Sequence, residues 1–159
     1  MKKLIFRGAG VAIVTPFTVD EINFPEFRRM IDHQIDHGTD AIIVAGTTGE
    51  AATMNDAEHK AAIKFAVETV RGRVPVIAGA GSNDTSYAIH LSQYSEQAGA
   101  DGLLLVTPYY NKCTQKGLVE HFRAIADSVS IPCILYDVPS RTGVSIKVPA
   151  YVELAKHPN

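Results

Sequence analysis

The chain has 159 residues, of which 46% are hydrophobic and 20% charged, a composition typical of one globular domain with its own core. The formal net charge of −2 at pH 7 excludes a strongly basic surface for nucleic acid or anionic lipid. Cys113 and Cys133 form neither a CxxC pair nor a disulfide framework, and no apolar run approaches the ~18 residues of a membrane span. We therefore expect a single cytoplasmic domain over residues 1–159.

Five short apolar runs, separated by helical segments, predict alternating strands and helices. The runs are continuous rather than alternating, which is typical of strands covered on both faces in a parallel sheet. Asn23 with Glu26, and Asn55 with Glu58, have the spacing of helix capping boxes. The predicted strands lie within 10–17, 41–50, 74–81, 102–110 and 132–139, and the predicted helices within 25–38, 56–72, 85–99, 115–129 and 149–157.

An internal similarity favours a barrel over a doubly wound sheet. "GTDAIIVA" at 38–45 matches "GADGLLLV" at 99–106, two βα units further on. Each has a helix-ending glycine, a short turn with an aspartate and a buried strand. Repeated units of this kind build a closed barrel. The sequence therefore predicts an α/β fold, a partial TIM (β/α)8 barrel of about five βα units.

Polar residues follow the predicted strands, at the end where parallel barrels carry their active sites. Thr47, Thr48, Tyr110 and Tyr136 offer hydroxyl groups that can transfer protons, and Arg141 offers a planar fork that fits a carboxylate. These residues predict a site for a small keto acid. The alternative is that threonine and tyrosine only complete the strands, because both favour sheets. The five strand ends together favour the site.

Three motifs carry a family resemblance. "GTTGE", "TPYYNK" and "YDVPSRTG", in this order, resemble the dihydrodipicolinate synthases, which belong to the pyruvate-dependent class I aldolases and lyases. The resemblance extends along the whole chain. It implies the condensation of pyruvate with aspartate semialdehyde on the diaminopimelate route to lysine, with no cofactor and no metal.

The resemblance also implies residue roles. Thr47, Tyr110 and Tyr136 match the family's proton relay, and Thr47 with Thr48 matches the site for the pyruvate carboxylate. Arg141 matches the residue that holds the carboxylate of the second substrate. In the family the tyrosine that matches Tyr110 reaches into a neighbouring subunit, so a complete site needs a dimer.

The family forms a Schiff base between pyruvate and a lysine on the sixth strand, and this residue has no match in the chain. None of the eight lysines lies in a predicted strand, and all eight are expected on the surface; they are Lys2, Lys3, Lys60, Lys64, Lys112, Lys116, Lys147 and Lys156. We expect the sequence to stop before the lysine-bearing strand and to be inactive alone. Two hypotheses remain: a lyase completed by another chain, and a catalytically inactive, self-associating partial barrel.

A partial barrel leaves two sheet edges and one sheet face without cover. We expect Ile13, Val44, Ile77 and Leu105 to be partly exposed on that face. Exposed apolar side chains and open edges favour association. The sequence therefore predicts a homo-oligomer.

Two further patterns receive weaker interpretations. His33 and His37 have a spacing that can bind zinc, but Gln34 replaces the glutamate of HExxH, which favours two exposed helix histidines. Some family members bind lysine as a feedback inhibitor, and Asp56 and Tyr87 stand where lysine-sensitive members carry histidine and glutamate. We therefore expect no regulation by lysine, although other positions match that site, namely Ala51, His59, Asn83 and Tyr109.

Overall fold

A computed structural model describes residues 4–159 and contains one parallel sheet. The strands lie side by side in chain order, and each is hydrogen-bonded to the next in parallel. This order confirms the predicted succession of βα units. The strands are β1 (Gly10–Ala12), β2 (Ala41–Val44), β3 (Val76–Gly79), β4 (Gly102–Val106) and β5 (Cys133–Tyr136).

The five predicted helices are present, and one short helix was not predicted. The extra helix lies directly after β5, where the sequence indicated only a proline turn. Across residues 4–159, no helix has both the length and the apolar character needed to cross a membrane. The helices are α1 (Phe24–Asp36), α2 (Asp56–Val70), α3 (Thr85–Ala98), α4 (Gln115–Asp127), the extra α5 (Pro139–Thr142) and α6 (Val148–Leu154), with a 3-10 turn at Ala51–Thr53.

The two predicted capping boxes differ in the structure. At α2 the box is complete, because the Asn55 side chain accepts from the Glu58 N–H (3.0 Å) and Glu58 accepts from the Asn55 N–H (2.9 Å). At α1 only half of it forms. The Asn23 side chain accepts from the Glu26 N–H (3.1 Å), but the Glu26 carboxylate pairs with Arg29 instead (2.6 Å).

The main core lies between the sheet and the helices. Ile13, Val44 and Leu105 are buried in this core, so the prediction that they face the open side of the sheet is wrong. Ile77 does lie on the other face, in register with Ile43, but it is also fully buried. A continuous apolar run does not show which residues point to which face.

The inner face of the sheet carries apolar side chains that remain partly accessible. The register aligns Leu104 with Ile134 and Val106 with Tyr136, and all four are half-buried. Val14 continues the alternation beyond β1 and is 43% exposed. The helices cover the outer face of the sheet but leave this inner face open.

The segment before β1 covers the amino-terminal end of the inner face. A Cβ atom added at Gly102 would lie 3.0 Å from Cδ1 of Ile5 and 3.2 Å from Cδ1 of Ile77. Ile5 and Ile77 therefore both lie over Gly102. Ile77 is thus buried on the inner face, at the end where the segment before β1 lies.

The β5 edge already has one neighbouring backbone group. The Cys133 N–H donates to the carbonyl of Asn159 (3.1 Å), just as the Leu103 N–H donates to the carbonyl of Pro132 (2.9 Å). Pro132 lies directly before β5 and accepts a hydrogen bond from β4. Asn159 accepts a hydrogen bond from β5 in the same way, so it lies beside the start of β5. Two bonds from the Asn159 side chain to backbone carbonyls of Ala126 and Val129 hold it there.

Glycines allow the carboxyl ends of β2, β3 and β4 to approach closely. A Cβ atom at Gly79 would lie 2.1 Å from the carbonyl oxygen of Ala45, and one at Gly81 would lie 2.3 Å from the backbone nitrogen of Val106. Both contacts are with backbone, which cannot rotate away. Glycine at these two positions therefore allows the neighbouring strand ends to come together.

We expect Gly79→Ala to lower the free energy of unfolding by about 3 kcal/mol, because the added methyl group overlaps the Ala45 carbonyl. Chemical denaturation measures this change. Gly46→Ala is the matched control, since its Cβ atom would have its nearest contact at 3.9 Å. Equal losses of stability in the two variants would contradict the packing described here.

Candidate active site

One cavity of about 400 Å³ opens at the carboxyl ends of the strands. Loops that follow β2, β3, β4 and β5 each contribute to it, as expected for a parallel barrel. The N-terminal parts of α2 and α3 form a second wall. The lining includes Gly46, Thr47, Asp56, His59, Gly81, Ser82, Tyr87, Tyr109, Tyr136, Val138 and Arg141.

The structure brings three of the five predicted site residues to this cavity. Thr47, Tyr136 and Arg141 line it, whereas Thr48 and Tyr110 do not. Two hydroxyl groups and one guanidinium group therefore share one space. Hydroxyls can accept and donate protons, and a guanidinium binds a carboxylate with two parallel hydrogen bonds.

Tyr110 projects away from the cavity. Its side chain is 87% exposed, and its backbone has a positive φ of 75°, which is uncommon for a bulky residue. The neighbouring Tyr109 lines the cavity instead. A role for Tyr110 in the site of a second chain stays a prediction.

The segment that carries Arg141 is held from two sides. The Asp137 carboxylate accepts hydrogen bonds from the Ser145 hydroxyl (2.9 Å) and the Ile146 N–H (3.0 Å). The Gln115 side chain of α4 donates to the Ser145 carbonyl and accepts from the backbone N–H of the residue two positions after Ser145, both at 2.8 Å. These bonds fix the loop on which α5 presents Arg141 to the cavity.

A charged network supports the wall formed by α2 and α3. The Lys60 ammonium donates to Asp56 and to His90, both at 2.7 Å. The hydrogen bond from Lys60 lowers the pKa of the Asp56 carboxyl. Burial and the negative charge of Asp56 both raise the pKa of Tyr87. The cavity therefore has an ionised carboxylate beside a neutral phenol on this wall.

Two histidines are buried and neutral. His59 lines the cavity, and its Nε2 lies 2.8 Å from the Gly79 carbonyl. Because a carbonyl can only accept, Nε2 carries the proton. His121 packs between helices, with Nδ1 at 2.8 Å from the Thr85 hydroxyl and a buried Nε2 that has no partner among residues 4–159. Loss of solvation on burial lowers the pKa of both histidines.

The described lysines lie outside the strands. Lys60 pairs with Asp56 and Lys156 pairs with Glu153, both at 2.7 Å. The remaining ones are exposed on helices or loops; they are Lys64, Lys112, Lys116 and Lys147. Lys2 and Lys3 lie outside the described residues. Within residues 4–159, therefore, no lysine projects from a strand into the barrel.

Several cavity residues had no predicted role. Met54, Ser82 and Thr142 line the cavity, and of these Thr142 lies within the motif YDVPSRTG. The positions considered for lysine feedback also lie here, except Asn83. The expectation that lysine does not regulate the protein stays a prediction. The described residues contain no group of three or more histidine, cysteine or acidic side chains arranged to hold a metal.

The parallel sheet, its outer helices and a cavity at the strand ends define part of a (β/α)8 barrel with an active-site end. Comparison with known proteins identifies the group. The model of the dihydrodipicolinate synthetase family matches residues 5–159, and the chain belongs to that family. This result confirms the resemblance found in the motifs.

Individual relatives agree with this assignment. A 4-hydroxy-tetrahydrodipicolinate synthase of Acetivibrio thermocellus is 58% identical over 159 residues, which are 100% of this chain and 54% of that protein. A chloride-inhibited synthase of Acinetobacter baumannii in complex with pyruvate superposes with a TM-score of 0.94 at 45% identity, over 98% of this chain and 54% of that one. A structure described as the first monomeric variant of the enzyme gives a TM-score of 0.91 at 42% identity, with 95% and 50% coverage. The chain thus spans about half the length of the relatives it matches.

The two buried histidines predict a loss of stability in acid. Their folded-state pKa values lie below the ordinary 6.5, so the unfolded chain binds protons first as the pH falls. Their contribution is complete above the unfolded pKa and declines as the pH falls below it. We expect a decline of up to about 1.4 kcal/mol per pH unit for each histidine.

Denaturation between about pH 7.5 and pH 5.5, above the range in which most carboxyl groups titrate, measures this slope. His121→Gln should reduce it. Phe122→Leu, at the adjacent buried position, should lower stability by the same amount at every pH. An unchanged slope in His121→Gln would contradict the assignment.

Proposed function

We propose that this chain supplies the strand-end half of a 4-hydroxy-tetrahydrodipicolinate synthase site, for condensation of pyruvate with aspartate semialdehyde. The observation that carries the proposal is the single cavity lined by Thr47, Tyr136 and Arg141 at the carboxyl ends of the strands. Membership of the family supports it. So does the Acinetobacter baumannii relative that was solved in complex with pyruvate.

Each residue has a role that fits its chemistry. Thr47 binds the pyruvate carboxylate together with Thr48, its neighbour in the same loop, which lies next to the cavity lining rather than in it. Thr47 also passes protons with Tyr136 and with Tyr110 of a second chain. Arg141 receives the carboxylate of aspartate semialdehyde. The bonds from Asp137 and Gln115 hold the Arg141 loop before substrate arrives.

The nucleophile lies outside residues 4–159. A Schiff-base lysine must be desolvated so that its amine is neutral and reactive. The described lysines are ion-paired or exposed outside the strands, so they do not meet this requirement. The chain therefore binds and orients substrate but forms no covalent adduct by itself.

Borohydride reduction in the presence of pyruvate tests this point. A Schiff base would be reduced to a stable adduct that intact-mass and peptide mass spectrometry detect. We expect no adduct on any lysine of this chain. A pyruvyl adduct that forms within the folded chain and disappears after unfolding would contradict the proposal.

We also infer that the chain forms a homo-oligomer that buries its inner sheet face. Val14, Leu104, Val106 and Ile134 give this face an apolar surface without helices above it. Asn159 already occupies the start of the β5 edge, which favours association through the inner face over pairing of edges.

The chain acts as one cytoplasmic domain, and its two cysteines are both unpaired.

Size-exclusion chromatography with light scattering measures the association. We expect the wild-type chain to exceed the mass of a 17.2 kDa monomer at micromolar concentration. Val14→Glu should shift it toward monomer, because a charge on the inner face opposes its burial. Val19→Glu is the matched control, since Val19 is 98% exposed on a loop. A wild-type monomer, or equal behaviour of the two variants, would contradict the inference.

A further inference from the structure

A pair of histidines on α1 takes no part in the site described above. His33 and His37 lie one helical turn apart, and both are exposed. Their ring centroids are 4.0 Å apart with an angle of 35° between the planes. The two imidazoles therefore lie side by side at the surface.

The protonation pattern of one ring is fixed by the backbone. Nδ1 of His37 lies 2.7 Å from the carbonyl oxygen of His33. A carbonyl can only accept a hydrogen bond, so Nδ1 carries the proton. In the neutral ring the lone pair is then on Nε2. A metal-bound histidine commonly has this arrangement, in which the other ring nitrogen donates to a carbonyl.

The spacing of the rings suits a shared ion. Metal–nitrogen bonds of about 2.0–2.1 Å allow one ion to join two nitrogens that are at most ~4 Å apart. The ring centroids are 4.0 Å apart and both side chains are exposed, so their rotamers can adjust to bring two ring nitrogens to this separation. The negative end of the α1 helix dipole also lies at this turn, which favours a nearby cation.

We propose that His33 and His37 form a two-ligand surface site for a divalent transition metal ion, with water completing the coordination. Imidazole nitrogen suits copper, nickel and zinc, whereas magnesium and calcium prefer oxygen ligands. Because affinities for one site rise from nickel to copper and fall again at zinc, Cu²⁺ binds most tightly. Since only two side chains contribute, the ion exchanges readily with solvent.

Isothermal titration of the full chain with CuCl₂, NiCl₂ and MgCl₂ tests the site. We expect one strongest Cu²⁺ site per chain, weaker Ni²⁺ binding and no Mg²⁺ binding. His33→Asn and His37→Asn should each weaken Cu²⁺ binding by about tenfold or more, because the second ligand acts at a high effective concentration. His90→Asn is the matched control, since His90 is a single exposed histidine on α3.

Paramagnetic broadening gives a second readout that does not depend on stability. Substoichiometric Cu²⁺ should broaden the NMR signals of His33 and His37 before those of other histidines. Equal Cu²⁺ affinity in His33→Asn and His90→Asn, or first broadening at another histidine, would overturn the proposal. Absence of Cu²⁺ binding to the folded wild-type chain would also overturn it.

Discussion

The structure depends on one constraint: a parallel sheet is stable only when both of its faces are covered. Helices cover the outer face of the five strands and bury Ile13, Val44 and Leu105. The segment before β1 covers only the amino-terminal end of the inner face, through Ile5. Within residues 4–159 the rest of that face remains partly exposed. Asn159 covers the start of the β5 edge through its hydrogen bond with Cys133.

The same sheet determines how the candidate site is built. At the carboxyl ends of β2, β3 and β4 the backbones pack directly on one another, which Gly79 and Gly81 permit. Ala45 adopts a positive φ of 53° while buried, so the chain turns sharply into the loop that carries Thr47. The Arg141 loop is fixed by side chains instead, because Asp137 and Gln115 hold it. The strand ends and the Arg141 loop are therefore both held in place at the cavity.

Much of this architecture was predictable because βα units leave strong local signals. Runs of apolar residues marked all five strands, and Asn55 with Glu58 marked the start of α2 correctly. The sequence could not show which face Val44 or Leu105 occupies, because residues covered on both sides do not alternate in polarity. It could not place Tyr109 in the cavity and Tyr110 outside it, since that depends on a positive φ at Tyr110. The burial of His121 likewise depends on how helices pack.

The central claim is that these residues form one part of an active site whose nucleophile lies outside residues 4–159. The most direct measurement mixes this chain with the part of the Acetivibrio thermocellus relative that it does not cover, adds pyruvate and borohydride, and maps the adduct by mass spectrometry. We expect the adduct on the added portion, at a yield that rises when this chain is present and falls with its Tyr136→Phe variant. An adduct on a lysine of this chain, or a yield that does not depend on this chain, would contradict the account.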